Sequence, residues 1–234
     1  MALSVISSSE NPFIKSVVRL HASKERRKTQ RCIIEGMRAV GTALTRLTLQ
    51  NLVCTDDQLD YAYSCTTEDR IVLVSESLMK KISPSITPSG ILGIFTIPPL
   101  NMQELTQGLV LAQVQDPGNM GTLIRTAVAC KLSSVIIVEG CDPWSPKVLQ
   151  SSAGTAALIN IFEWSFEELL YHKKNLALYA LVVEGGEAPS HIDSEQALLM
   201  IGNEARGLPE EWLTHCEKKI TVPMPGNTDR KSVV

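Results

Sequence analysis

Six near-continuous apolar runs between residues 109 and 224 constrain the fold more than any other feature. LVLAQVQ, SVIIVEG, ALINIFEW, LALYALVVEGG, ALLMIGNE and KKITVPM are each of strand length. Because they are apolar nearly throughout, each is predicted to be a strand covered on both faces. Residues 120–131, 146–152, 165–174 and 208–217 lie between these runs and carry helical periodicity. Alternating helices and doubly covered strands imply an α/β fold with a parallel sheet.

Two segments place chemistry at the ends of these runs. QDPGNMGTLIRTA (115–127) closes the first run, and LLMIGNEARGLP (198–209) overlaps the fifth. Loops at the carboxyl ends of strands are where open α/β sheets bind ligands. In the first segment, Pro117 and Gly118 are expected to make a turn and Gly121 to allow close backbone approach. Arg125 is expected about one turn into the helix, with its guanidinium near the loop. It could clamp a phosphate, activate a hydroxyl, or serve structurally by pairing with Asp116 or Glu204. In the second, Gly202-Asn203-Glu204 follows the strand, and Gly207 and Pro209 lead into another helix. Neither GxGxxG nor GxxxxGK[ST] occurs, so the usual dinucleotide and nucleotide-phosphate loops are excluded.

The first hundred residues have a different character. Between Asn11 and Gln50 stand nine Lys and Arg against two acids, although the whole chain carries a net charge of −3. A basic segment ahead of an acidic body points to a polyanion-binding module. Phe13, Ile14, Val17, Val18 and Leu20 are spaced for an amphipathic helix, with Ser9 or Asn11 as its cap and Pro12 in its first turn. RCIIEG reads as a short strand. Further apolar runs, LVC, IVLVS and ILGIFTI, complete a small α/β domain. The predicted organisation is an N-terminal polyanion-binding domain over 1–97, a linker over 98–108, and a parallel-sheet domain over 109–234.

The six cysteines form no CxxC pair and the four histidines no ligand pattern, so neither a metal site nor a disulfide framework is expected. No run approaches the roughly 18 apolar residues of a membrane span, and MALSVISSSENP lacks a signal pattern. The expectation is a soluble, cytoplasmic protein with no membrane partner.

With these segments in view, the chain resembles the SpoU/TrmH-type RNA 2′-O-ribose methyltransferases of the SPOUT class. The resemblance rests on NPxxK near the start, IIEG with Arg38, DPGNMGTLIRTA, CDPWSPKVLQSSAGT, IGNEARGLP and ITVPMPG, in that order. It covers nearly the whole chain. It implies S-adenosylmethionine as cofactor, tRNA or rRNA as partner, a C-terminal trefoil knot, and a homodimer with active sites at the interface. By motif match, Asn119, Arg125 and Glu204 take catalytic positions. Gly202 and Val222, and with them Val183, take cofactor-binding ones. Arg26, Arg27 and Lys28 are expected to hold RNA backbone.

Two departures from the family pattern stand out. Gln150 occupies a position where many relatives carry Arg. After MPG the pattern continues into Ser-Leu-Asn-Val and a helix, whereas this chain reads NTDRKSVV. Arg230, Lys231 and Ser232 then stand where the family has other residues. DRKSVV is read as adapter-derived, with the native chain continuing from Thr228. A chain ending this way is expected to bind cofactor weakly, to leave an apolar patch open and to aggregate. A non-catalytic RNA-binding relative and a nucleotide-binding α/β enzyme of another class are the alternatives. The implied reaction is in-line methyl transfer to a ribose 2′-oxygen, with Arg125 easing loss of the proton while Asn119 and Glu204 fix geometry.

Overall fold

The computed structural model describes residues 3–99, 104–189 and 196–223. Two compact units emerge. The first comprises residues 1–99 and 144–158, and the second residues 100–143 and 159–234.

The first unit is built on a five-stranded mixed sheet. Its elements are β1 (Ser4–Ile6), α1 (Pro12–Arg19), α2 (Ser23–Thr29), β2 (Arg31–Glu35), α3 (Met37–Leu44) and β3 (Leu49–Cys54), followed by α4 (Leu59–Cys65), β4 (Ile71–Val74), α5 (Glu76–Ile82) and β5 (Ile91–Thr96). The strand order is β1-β4-β3-β5-β2, parallel across β1, β4 and β3 and antiparallel on both sides of β5. Helix α1 begins where the sequence predicts. The Asn11 side chain accepts from the Phe13 N–H at 2.8 Å, and Pro12, which has no N–H to offer, takes the first turn. Ile14 and Val17 bury against Ile33, Val72 and Met79. Each such side chain contributes ~1.5–3 kcal/mol of burial.

The second unit carries the predicted parallel sheet. In chain order come β6 (Gly108–Ala112), α6 (Pro117–Ala129) and β7 (Ser134–Val138). Residues 144–158, with α7 (Pro146–Ser151), belong to the first unit. The second unit resumes with β8 (Asn160–Trp164), α8 (Phe166–His172), β9 (Ala177–Leu181), β10 (Ala197–Ile201), α9 (Glu210–Leu213) and β11 (Lys218–Ile220). The order is β11-β9-β10-β6-β7-β8, and every pairing is parallel. Strands β6 and β7 are buried at every position, as doubly covered strands require. Val110, Ile136, Phe162, Leu178, Met200 and Trp212 form the core.

Three differences from the sequence reading have physical causes. Residues 144–158, assigned above to the second domain, cluster with the first unit: a Cβ at Gly154 would lie 2.9 Å from the Ala39 backbone of α3. The helix expected over 208–217 is a single turn, because Glu217 is captured by β9, its N–H donating to Leu178 O at 2.9 Å. The DPG turn is already helix, since Asp116 caps α6 by accepting from the Asn119 N–H at 2.8 Å. The expected knot, with Arg230, Lys231 and Ser232, falls on residues outside those described.

Candidate active site

Strands β6 and β10 are neighbours, pairing Leu198–Ile201 with Gly108–Leu111. From β6 the chain steps to β7 and β8 on one side, while β10 and β9 lie on the other. The carboxyl ends of β6 and β10 therefore flank the point where the strand order reverses, the place where open α/β sheets bind ligands. The two motifs meet there.

Asn119, in the first turn of α6, donates from Nδ2 to Glu204 Oε1 at 2.6 Å. Both side chains are half-buried. Such a short bond to a carboxylate is charge-assisted and fixes the rotamers of both groups. Asn203 pins the loop that presents Glu204. Its Nδ2 donates to Gln113 O at 3.0 Å, and its Oδ1 accepts from the N–H groups of Ala205 and Arg206 at 3.0 and 3.2 Å. The Asn203 and Gly207 backbones bond to each other in both directions. This loop closes so tightly that a Cβ at Gly202 would lie 2.5 Å from the Gly207 carbonyl carbon, so only glycine fits at 202. Nearby, burial, followed by the Asp142 carboxylate, pushes the Cys141 thiol up to about 11, which leaves it protonated and unreactive at neutral pH.

Arg125 is placed differently from expectation. It lies on the exposed side of α6, eight residues beyond Pro117 and therefore ~12 Å along the helix axis rather than one turn from its start. Because Asp116 caps the helix, the DPG segment that was expected to be loop is instead its first turn. No acidic side chain among the described residues pairs with Arg125, so the structural pairing with Asp116 or Glu204 is absent there.

The three proposed cofactor residues lie at the same end of the sheet, after β9, β10 and β11. Gly202 is buried, whereas Val183 and Val222 are 57% and 44% exposed. The β9 and β11 loops are joined closely. Val182 N donates to Ile220 O at 2.8 Å, Thr221 Oγ1 donates to Val182 O at 3.1 Å, and a Cβ at Gly186 would meet the Ile220 carbonyl carbon at 2.6 Å. Val183 and Val222 thus expose apolar side chains on loops whose backbones are closely packed.

In the first unit, Arg27 and Lys28 are exposed on α2 but Arg26 is not. Arg26 is 3% exposed, and its Nη1 donates to Leu20 O at 2.7 Å and His21 O at 2.8 Å. Its guanidinium caps carbonyls at the end of α1, where a cation complements the helix dipole. The assignment of Arg26 to RNA contact is corrected accordingly: it is a structural arginine.

Gln113 and Glu139 were not singled out from the sequence. Both lie at this end of the second unit's sheet with positive φ, 57° and 53°. The signal that could have found them is a long polar side chain closing an apolar run. Among the described residues, no helix is long and apolar enough to cross a membrane.

A parallel sheet with two polar motifs joined across its switch point and a glycine-lined loop beside them is the arrangement of the SPOUT-class methyltransferases. The chain belongs to the SpoU rRNA methylase family, whose model matches residues 107–230; residues 11–93 match an MRM3-like substrate binding domain. It is therefore an RNA methyltransferase with S-adenosylmethionine as methyl donor. The fold is similar to that of an S-adenosylmethionine-bound rRNA methyltransferase from Sinorhizobium meliloti, with a TM-score of 0.84 and 28% identity, covering 97% of this chain and 91% of that one. The 23S rRNA (guanosine(2553)-2′-O)-methyltransferase RlmP of Bacillus subtilis is 28% identical over 97% of this chain and 94% of its own length. Human mitochondrial rRNA methyltransferase 3 is 27% identical over 87% of this chain and 56% of its own length.

Proposed function

We propose that this protein methylates the 2′-hydroxyl of one ribose in ribosomal RNA, as a cytoplasmic homodimer, with Asn119, Glu204 and Arg125 at the reacting centre. The observation that carries this reading is the Asn119–Glu204 hydrogen bond, which joins the two motifs at the switch point. Kinship with RlmP supports rRNA and the ribose oxygen as the target. The substrate-binding domain match over 11–93 supports RNA docking on the first unit through Arg27 and Lys28.

Val183 and Val222 would hold the adenosine by apolar contact, and the Gly202 backbone by close approach. When bound, the cofactor supplies a methyl group on a sulfonium, a leaving group that needs no metal. The remaining work is positional. The 2′-hydroxyl is a weak nucleophile and must be held in line and relieved of its proton. Glu204, held through Oε1 by Asn119, would accept that proton on its second oxygen. The Arg125 guanidinium stabilises the developing alkoxide and holds the flanking phosphate through its planar fork of N–H donors.

Incubating the full chain with methyl-labelled cofactor and total RNA from a strain lacking the gene tests this. Label is expected in 2′-O-methylated nucleosides of rRNA, and Glu204→Ala is expected to remove it. Label confined to base methyls, or unchanged in the variant, overturns the reading.

A further inference from the structure

Gln113 and Glu139 close neighbouring strands in the same rare conformation. Gln113 follows β6 at φ 57° and Glu139 follows β7 at φ 53°, the left-handed region that non-glycine residues seldom adopt. Backbone held there persists only where its surroundings enforce it, and such residues gather at ligand sites. The enforcement is visible. Gln113 N donates to Val138 O at 2.8 Å, and Gln113 O accepts from Asn203 Nδ2 at 3.0 Å. Gln115 Nε2 donates to Glu139 O at 2.6 Å, and Gln113 Nε2 donates to Glu139 Oε2 at 2.8 Å.

These residues line a cavity of about 450 Å³ together with Asn203, Ala205 and Arg206. That volume falls in the roughly 300–1,000 Å³ range of small-ligand sites. Asn203 and Ala205 flank Glu204 in sequence, so the cavity adjoins the Asn119–Glu204 pair.

Its chemistry is selective. Donation from Gln113 Nε2 to Glu139 Oε2 fixes which way the amide faces. Gln113 Oε1 and Glu139 Oε1 then remain as acceptors with no protein partner among the described residues. Two acceptors on one cavity lining match a base edge carrying two adjacent N–H donors. Guanine has that edge, N1–H beside N2–H₂. Adenine and cytosine each set one amino donor beside an acceptor, and uracil sets one N–H between two acceptors. Unstacked RNA bases are read on this edge. Arg206, on the same lining, supplies a cation for the nucleotide's phosphate.

We propose that this cavity receives the base of the target nucleotide and selects guanine, with Glu139 and Gln113 as its specificity-determining residues. The proposal rests on the methyltransferase reading above, and it can fail separately from it. The test is binding of GMP, IMP, AMP, CMP and UMP to the full chain by NMR titration, with S-adenosylmethionine binding measured in parallel. GMP is expected to bind about ten-fold more tightly than AMP, CMP or UMP, the worth of one hydrogen bond to a charged acceptor. IMP, which lacks the N2 amino group, is expected to lose several-fold of that advantage. Glu139→Gln, which turns one acceptor into a donor at constant shape, is expected to level the series without moving cofactor affinity. Equal affinities, preference for another base, no measurable binding, or a GMP preference that survives Glu139→Gln would each overturn the base assignment. A GMP preference with methyl label confined to base methyls would instead overturn the ribose-methylation reading.

Discussion

Asn119 Nδ2 lies 2.6 Å from Glu204 Oε1, a bond between residues 85 positions apart in the chain. Each side chain is of limited use without the other, because the amide aims the carboxylate and the carboxylate fixes the amide. Asn119→Ala and Glu204→Ala are each expected to lower kcat/KM on rRNA by roughly 10²–10³, the range for loss of one preorganised polar group. The double variant is expected to be little worse than the more damaging single, since groups that act as a unit are not additive. Fully multiplicative losses would show that the pair does not work as one.

Arg125 has no acidic partner among the described residues and so is available to RNA. Arg125→Ala is expected to abolish methyl transfer while leaving cofactor affinity unchanged. Arg125→Lys is expected to recover little, because an ammonium cannot reproduce a bidentate phosphate contact. A drop in cofactor binding in Arg125→Ala would place the residue on the wrong ligand.

The KERRK stretch of α2 divides into two roles. Arg26→Ala removes two hydrogen bonds from a buried guanidinium to Leu20 O and His21 O. It is expected to cost roughly 1.5–3 kcal/mol of stability, read as a lower thermal midpoint, with RNA affinity falling only as folding does. Arg27→Ala with Lys28→Ala, both on the exposed side of α2, is expected to weaken RNA binding more than it lowers stability. The slope of log K against log salt should then fall by up to about 2. Equal effects from the two sets of substitutions would contradict this division.

What the sequence made legible follows from how local each signal is. Apolar runs such as SVIIV identify doubly covered strands on their own, because burial on both faces needs no partner-specific pattern. Asn11-Pro12 marks a helix start for the same reason. Asp116-Pro117 carries the same cap-and-proline signature, but the glycine after it favoured a turn reading, which misplaced Arg125 by more than a helical turn. Arg26 was unreadable: nothing in KERRK distinguishes the arginine that meets the α1 carbonyls from its exposed neighbours. Gln113 and Glu139 each close an apolar run, but the left-handed backbone that sets them apart comes from bonds across strands, to Val138 and Asn203, and so they were missed.

Glu217 gives the second unit an acid-sensitive edge. Burial opposes its charge, but the Leu178 N–H and the Lys173 ammonium, at 2.6 and 2.9 Å, outweigh burial and hold its pKa below the ordinary 4.5. A carboxylate lowered in the folded state contributes stability that is complete above 4.5 and is lost as pH falls through the folded value. The urea midpoint is therefore expected to hold near neutrality and to decline in acid below the ordinary carboxylate range, with Glu217→Gln showing a shallower decline. An identical acid profile in the variant would remove Glu217 from the account.

Gly202 separates the demands of cofactor and fold at one atom. A Cβ there would lie 2.5 Å from Gly207 C, 2.6 Å from Gly207 O and 2.7 Å from Leu208 N, all backbone atoms that no rotamer change can move aside. The clash must be relieved by shifting the 203–207 loop, which breaks the reciprocal Asn203–Gly207 backbone bonds at 3.2 and 2.8 Å. Glu204 lies inside that loop, so the shift also carries its carboxylate away from Asn119. Gly202→Ala is thus expected to weaken S-adenosylmethionine binding and methyl transfer together, while the β6–β10 pairing, which ends at Ile201, survives. Calorimetric titration with the cofactor, alongside backbone amide exchange of β6 and β10, checks both halves. Normal cofactor affinity in Gly202→Ala would show that the loop yields without cost and that the cofactor does not depend on it.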